Sequence, residues 1–586
     1  MPSGACGKLI SQYLVPTQNV MLRQRFITFL MLPAGLLLAA VAFAAPKPNV
    51  ILVTLDSVRA DRVGFLGTAS KTTPSLNAVA RQSLVFEQAY AQAPLTVVSH
   101  ATILSGTYPQ THQATEFGGP LAASVPVVAD ILRGQGYRTA AFVGSIELDP
   151  KNGLAPGFDR GFAEYNAGFH QPASNAARAP SYERRGSQVA ARALTWINKS
   201  AAGPFFVWVN LHDADGVTTS QYRMGVAACD TAVGTLVAAL RSKKLYDNSL
   251  IIVVSAHGES LGAHGEQAHG IFLYDETVHV PLLIKLPGNQ DAGKRVRAKV
   301  GLTDVAPTLL EVAGVPVPAQ MQGQSLLRIA KSGSDQPVYS RSDFPQRAFG
   351  WSSLESWRAG KYLYIRAPHA ELYDLSADPG ATHNLAQSSK AIADTMASQL
   401  SAFDRRFGDQ AHGTATSLTS SEAQKLASLG YVGLQKPGGP ATAATGTDPK
   451  DEIATANKVQ SGFALANEGK ADKSLEILQP AVGTSKMYLG QFAMGLALTQ
   501  LQQWSKAVEH LHAAIESQPD SAWAHYYMGS CLIKTGDFKS AAVHLEIAAT
   551  RLPEFADAHS SLAEAYDHLG RAEDAKKERS KAASKP

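Results

Sequence analysis

His257, His264 and His269 fall within thirteen residues of one glycine-rich stretch, SAHGESLGAHGEQAHG, directly after the apolar run Leu250 to Ser255. Histidines this dense at a strand end suit metal or phosphate ligation better than core filling, because imidazole offers a lone pair near neutral pH. Asp56 closes a second apolar run, Val50 to Leu55, and so places a carboxylate, a hard-cation ligand, at another strand end. Thr96, in APLTVVSHATILSGTYP, sits just ahead of a helix-like segment whose first amide groups favour an oxyanion. Each residue also has a plainer role open to it: Asp56 as the cap of a strand-to-helix turn, Thr96 as a helix N-cap, His257 as a hydrogen-bonded core imidazole.

These residues need a scaffold that brings strand ends together. Val50 to Leu55, Thr139 to Val143, Phe205 to Leu211, Leu250 to Ser255 and Pro281 to Leu286 read as buried strands. Between them Ser75 to Ser83, Val125 to Gly134, Gln188 to Asn198 and Tyr222 to Lys243 read as amphipathic helices. Unbroken apolar strands alternating with helices predict an α/β domain whose mostly parallel sheet is covered on both faces. Ligands of such sheets sit beyond the carboxyl ends of the strands, where Asp56 and the histidines lie. Lys361 to Ile365 and Glu371 to Leu375 suggest a smaller β-rich appendix, and Gln435 to Pro449 has the composition of a linker.

The 586 residues call for two to four domains, and 45% hydrophobic with 17% charged residues excludes disorder and fibrous repeats for the whole. Lys and Arg exceed Asp and Glu by 53 to 49, too little to argue for a nucleic-acid partner. Cys6, Cys229 and Cys531 form neither a disulfide framework nor a CxxC pair. Phe26 to Ala45 is uncharged and apolar, follows Arg23 and Arg25, and ends in small residues, which predicts a signal peptide or a retained membrane anchor and hence an exported protein, periplasmic or secreted. The expected plan is residues 1–45 for export, 46–412 for the α/β domain, 413–450 as linker and 451–586 as a second domain.

That second domain carries a repeat. Gly495 and Gly529, Gly529 and Ala563, and Pro519 and Pro553 are each 34 residues apart. AHYYMGSCLIKTGDFKSAAVHLEIA and AHSSLAEAYDHLGRAEDAKKERSKA align at that offset. The pattern resembles the tetratricopeptide repeat, which implies an all-α solenoid that binds a protein or peptide or packs against its neighbour.

NVILVTLDSVRADRVG, LTVVSHATILSGTYP, HGESLGAHGEQAHGIFLYDETVHVPLL, TDVAPTLLEVAGVP and ELYDLSADPGATHNLA follow one another in an order similar to the sulfatase family of the alkaline phosphatase superfamily. The resemblance implies hydrolysis of an anionic ester, a mixed and mostly parallel sheet, and a divalent metal (Ca, Mg, Mn or Zn) on Asp56, Thr96 and His257. By the same resemblance Thr96 is the nucleophile, with His100 and His269 as further catalytic candidates. His112, Asp213 and Asp215 are the candidates for binding substrate. Departures accompany the match. Threonine cannot become the formylglycine of true sulfatases, Ala256 replaces an aspartate ligand and weakens the metal site, and Asn210-Leu211-His212-Asp213-Ala214-Asp215 lacks both histidines of the family's H-L-F-D-P-H. An arginine and an asparagine that would contact the anion are replaced by Thr115 and Phe117. Two readings therefore stay open: an ester hydrolase, and a catalytically silent relative that serves as an interaction scaffold.

Overall fold

The computed structural model describes residues 47–67, 71–152, 154–167, 184–199, 203–214, 218–408, 420–429, 446–483 and 485–583. The apolar segment 26–45 lies outside the described residues, as do Asp215 and most of the linker.

Eight strands form the main sheet: β1 (Asn49–Leu55), β2 (Leu84–Tyr90), β3 (Arg138–Phe142), β4 (Glu164–Asn166), β5 (Phe205–Leu211), β6 (Ser249–Ser255), β7 (His279–Lys285) and β8 (Arg295–Gly301). Their order is β4-β3-β5-β1-β6-β7-β2-β8. All pairings are parallel except those of β7, which runs against both β6 and β2. The sheet is thus mixed and mostly parallel, as the sequence predicts. Alternate residues of its central strands enter two cores. Ile51, Val53, Val207 and Val253 pack with helices Pro74–Ala80, Gly186–Asn198 and Thr219–Ser242. Val50, Leu52, Trp208 and Val254 pack with Thr96–Ser105, Val128–Gly134 and Val305–Val312.

Strands β2 and β8 escape the sequence reading for physical reasons. In β2 the register shifts after Phe86, where Glu87 and Gln88 interrupt the apolar run. Strand β8 is an edge strand and carries Arg295, Arg297 and Lys299 on alternate positions. A second, antiparallel sheet of β9 (Val338–Ser342), β10 (Leu354–Ala359), β11 (Tyr362–Arg366) and β12 (Glu371–Asp374) packs Tyr339, Trp357 and Tyr364 against Met396, Leu400 and Phe403 of helix Lys390–Phe407.

Eight helices between Ile453 and Ala583 form four consecutive pairs. The glycine spacing now has a cause. A Cβ on Gly462, Gly495 or Gly529 would stand 2.5, 2.6 or 2.5 Å from a side-chain atom of Leu478, Leu511 or Leu545 on the paired helix. A second period is polar. Gln491 accepts from His510 Nδ1 at 2.7 Å, His525 and His544 meet through their Nδ1 atoms at 2.8 Å, and His559 Nδ1 meets Glu578 at 2.6 Å. Each first partner also donates to a main-chain carbonyl six residues earlier, that of Ser485, Pro519 or Pro553. The last three of the four helix pairs are therefore each closed by one polar bridge, and the three bridges differ in chemistry.

Candidate active site

Strand β1 lies between β5 and β6, with Thr54 opposite Asn210 and Leu55 opposite both Leu211 and Ser255. That register delivers Asp56, Asn210, His212, Ala256 and His257 to one point beyond the carboxyl edge. Thr96 approaches from the first turn of helix Thr96–Ser105, whose ten residues are all buried.

The orientation of Asn210 is fixed by its surroundings. Its Oδ1 accepts from the amides of Gly144 and Ser145, so its Nδ2 must point toward Asp56 Oδ2, 2.8 Å away. His212 Nδ1 reaches the same oxygen at 3.1 Å. Asp56 is fully buried, and its Oδ1 has no hydrogen-bond partner. Burial alone would raise its carboxyl, but the neighbouring imidazoles of His100, His212 and His257 and the His212 hydrogen bond hold it well below the usual range.

Thr96 Oγ1 and His257 Nε2 are 3.2 Å apart, and His257 Nδ1 donates to the Gly258 carbonyl at 2.9 Å. A carbonyl can only accept, so in the neutral ring Nε2 carries the lone pair and Thr96 is the donor. Burial, followed by the neighbouring His269, pushes His257 down to about 3, which keeps the ring neutral at physiological pH. The His269 ring packs 4.3 Å from that of His257, and its Nδ1 meets Glu259 Oε2 at 2.9 Å. Glu147, just past the end of β3, keeps its outer surface open to solvent. Its carboxyl is raised by desolvation and feels His212, His269, Asp56 and the Thr96 hydroxyl. Neither Glu147 nor Glu259 stands out in the sequence, although a carboxylate just beyond a parallel strand was a usable signal for Glu147.

Several expected roles change. His100 lies beside Asp56, its Nδ1 3.8 Å from Oδ1, but both ring nitrogens are engaged elsewhere. Its Nδ1 donates to the Thr96 carbonyl at 2.7 Å, its Nε2 accepts from Thr54 at 2.9 Å, and it is fully buried against Trp208. It ties the helix of Thr96 to β1 and acts through position, not through chemistry. His112 is likewise no substrate ligand. It is fully buried, accepts the Ala114 amide on Nδ1 and donates through Nε2 to Thr102, and burial pushes it down to about 3. Asp213 Oδ2 accepts the Gly186 amide at 2.8 Å and so caps helix Gly186–Asn198. His264 stacks on Tyr274 at 3.6 Å, away from Thr96.

The divalent metal implied by the resemblance does not fit the residues present. Asp56 Oδ1 has free lone pairs. Its Oδ2, however, is taken by Asn210 and His212, His257 Nε2 is taken by Thr96, and Ala256 offers a methyl group. Among the described residues no three His, Cys, Asp or Glu side chains converge as a metal site. Ala256→Asp would set a second carboxylate beside Asp56 Oδ1. It is expected to confer a calcium- or manganese-dependent rise in melting temperature that the natural protein lacks, as thermal unfolding with and without the ion would show.

A Sulfatase family model matches residues 48–315, and the model for the C-terminal part of N-sulphoglucosamine sulphohydrolase matches residues 264–406. Residues 48–406 belong to the sulfatase family. Tetratricopeptide repeat models match residues 492–544 and 532–578. The sulfatase domain is similar to the Ulvan-active sulfatase of Formosa agariphila, 25% identical over 58% of this chain and 77% of that protein. It is also 25% identical to the Delta 4,5-hexuronate-2-O-sulfatase of Bacteroides thetaiotaomicron, over 60% of this chain and 88% of that protein. Among solved structures, the phosphonate monoester hydrolases of Agrobacterium radiobacter and Silicibacter pomeroyi share its fold. Their TM-scores are 0.52 and 0.52, with 21% and 20% identity, and they cover 62% and 64% of this chain and 96% and 98% of their own.

Proposed function

We propose that the sulfatase domain is an ester hydrolase in which Thr96 is the nucleophile and His257, in place of a metal, is its base. The observation that carries this reading is the contact of Thr96 Oγ1 with His257 Nε2, whose ring is oriented by Gly258: nucleophile, base and orienting group in sequence. Thr96 Oγ attacks the phosphorus or sulfur of the ester and its proton passes to His257 Nε2. His269, held by Glu259, gives a proton to the departing alcohol. Water then attacks the Thr96 adduct and returns a proton to His269, while Thr96 Oγ recovers its own from His257 and the inorganic anion leaves. Because that second attack falls on the transferred group, and phosphorus accepts it more readily than sulfur, phosphate monoesters are the preferred substrate and sulfate esters the alternative. Relatives named as sulfatases support an anionic ester as substrate. Export through residues 26–45, with cleavage or retention of that segment, and a protein or peptide partner on the repeats complete the proposal.

The test is an acid-quenched incubation with an aryl phosphate or an aryl sulfate. A phosphoryl or sulfuryl group on the peptide containing Thr96, found by mass spectrometry and formed equally with chelator present, is the expected result. No adduct and no turnover with either ester would reject it. That outcome would favour a silent, scaffold-like relative, for which the methyl of Ala256 and the amide of Asn210 against Asp56 are the specific observations.

A further inference from the structure

The loop carrying His257, His264 and His269 is backbone-strained. Leu261, Gly262, His264, Gly265 and Gly270 all have positive φ, at 52°, 91°, 52°, 86° and 108°. For Leu261 and His264 this left-handed conformation is strained and persists only where neighbours enforce it. Part of the enforcement is internal. The buried Glu266 carboxylate accepts from Ser260, Ile271 N and Phe272 N.

The rest comes from the repeat domain. Asn457, on helix Ile453–Asn467, accepts the Gln267 amide at 3.0 Å and donates to the Gly265 carbonyl at 2.7 Å, so its side chain grips the main chain from both sides. One turn on, Gln460 Nε2 donates to the His269 carbonyl at 3.2 Å. Ile453 packs 3.3 Å from where a Cβ of Gly265 would stand. A second route runs through side chains. Lys450 pairs with Glu371 at 2.8 Å, Glu371 accepts from Tyr274 at 2.6 Å, and Tyr274 stacks on His264.

We propose that the first repeat helix is part of the hydrolase site, with Asn457 and Gln460 as positioning residues that hold the Gly265–His269 turn and thereby set His269 against Glu259 and His257. The repeats are then a structural partner of the active-site loop, a role distinct from capture of an outside ligand. Only the turnover arm of the test rests on the mechanism proposed above.

The experiment compares the full chain with its Asn457→Ala/Gln460→Ala form by hydrogen exchange, by the imidazole proton spectrum and by kinetics. Exchange in residues 258–272 is expected to speed up at least tenfold while helices Ala522–Thr535 and Phe538–Arg551 stay protected. The hydrogen-bonded Nδ1 proton resonance of His269 should be lost, and kcat should fall at least tenfold with KM changed less than twofold. If the double alanine form does not fold, Asn457→Asp/Gln460→Glu removes the same two donors at constant volume and is read in the same way. Faster exchange confined to the Gln267 amide, with the His269 resonance unchanged, would overturn the proposal whether or not the protein turns over any ester.

Discussion

Thr96→Ala is expected to reduce ester turnover to background, and His257→Gln to reduce kcat by roughly 10²–10⁴-fold, the usual worth of a positioned base. Glutamine can still accept a hydrogen bond from Thr96 but cannot take its proton, so the geometry survives and the chemistry does not. Thr96→Ser keeps the hydroxyl at the same place and is expected to stay within about tenfold of the natural rate. The pH profile has a definite sign. His257 works as the neutral ring and is pushed down to about 3, so its base form is complete throughout the neutral range. No loss of activity between pH 8 and about 5 should therefore originate from this residue. Steady-state kinetics of the three variants across that range, with chelator present, is the measurement. A His257→Gln protein retaining most of its turnover would remove His257 from the mechanism.

Acidification is expected to open the repeats before neutral-pH heating gives any sign of weakness there. His525 Nε2 donates to Pro519, so its Nδ1 must accept from His544 Nδ1, an arrangement possible only while His525 is uncharged. Burial pushes His525 down to about 4, and burial with the neighbouring ring pushes His544 well below its ordinary value. In the unfolded chain both titrate near 6.5, so the unfolded state binds more protons once the pH drops below that value. Stability from the pair is complete above about 6.5 and is lost as pH falls toward about 4, by on the order of 3 kcal/mol for His525 alone. The preceding repeat shows the remedy, since Gln491 makes the equivalent two contacts without titrating. His525→Gln is therefore expected to move the acid transition of the last two repeats to lower pH, read by circular dichroism and hydrogen exchange between pH 7 and 4. An unchanged transition would place the acid sensitivity elsewhere, with His112 the next buried imidazole to examine.

Asp56, Thr96 and His257 are legible in the sequence because an apolar strand or helix announces each one and parallel topology sends strand ends to one edge. The repeat is legible because glycines that let two helices touch must recur at the repeat length. What is not legible depends on register or on facing. Nothing in the sequence says that Asn210 stands opposite Thr54, so its grip on Asp56 is invisible until β1 and β5 are paired. His112 belongs to a four-residue helix, too short for periodicity to say that its ring turns inward to Thr102. Asn457 and Gln460 are polar residues on a helix surface, and no pattern distinguishes those that meet solvent from those that meet a strained turn.

The reversal of β7 has one more consequence. Because β6 and β7 are antiparallel neighbours, the 256–278 connection leaves and rejoins the sheet at the same edge and never has to cross it. A crossover connection must run back along the length of a strand and so has a minimum length, whereas a same-edge connection has none, and doubling a flexible one costs only about 0.6 kcal/mol. The sheet therefore sets no minimum on the length of chain between Gly258 and Gly265; what fixes it is the contacts of Glu259 with His269 and of Ser260 with Glu266, so a change of length there would leave β6 and β7 paired and alter what reaches Thr96.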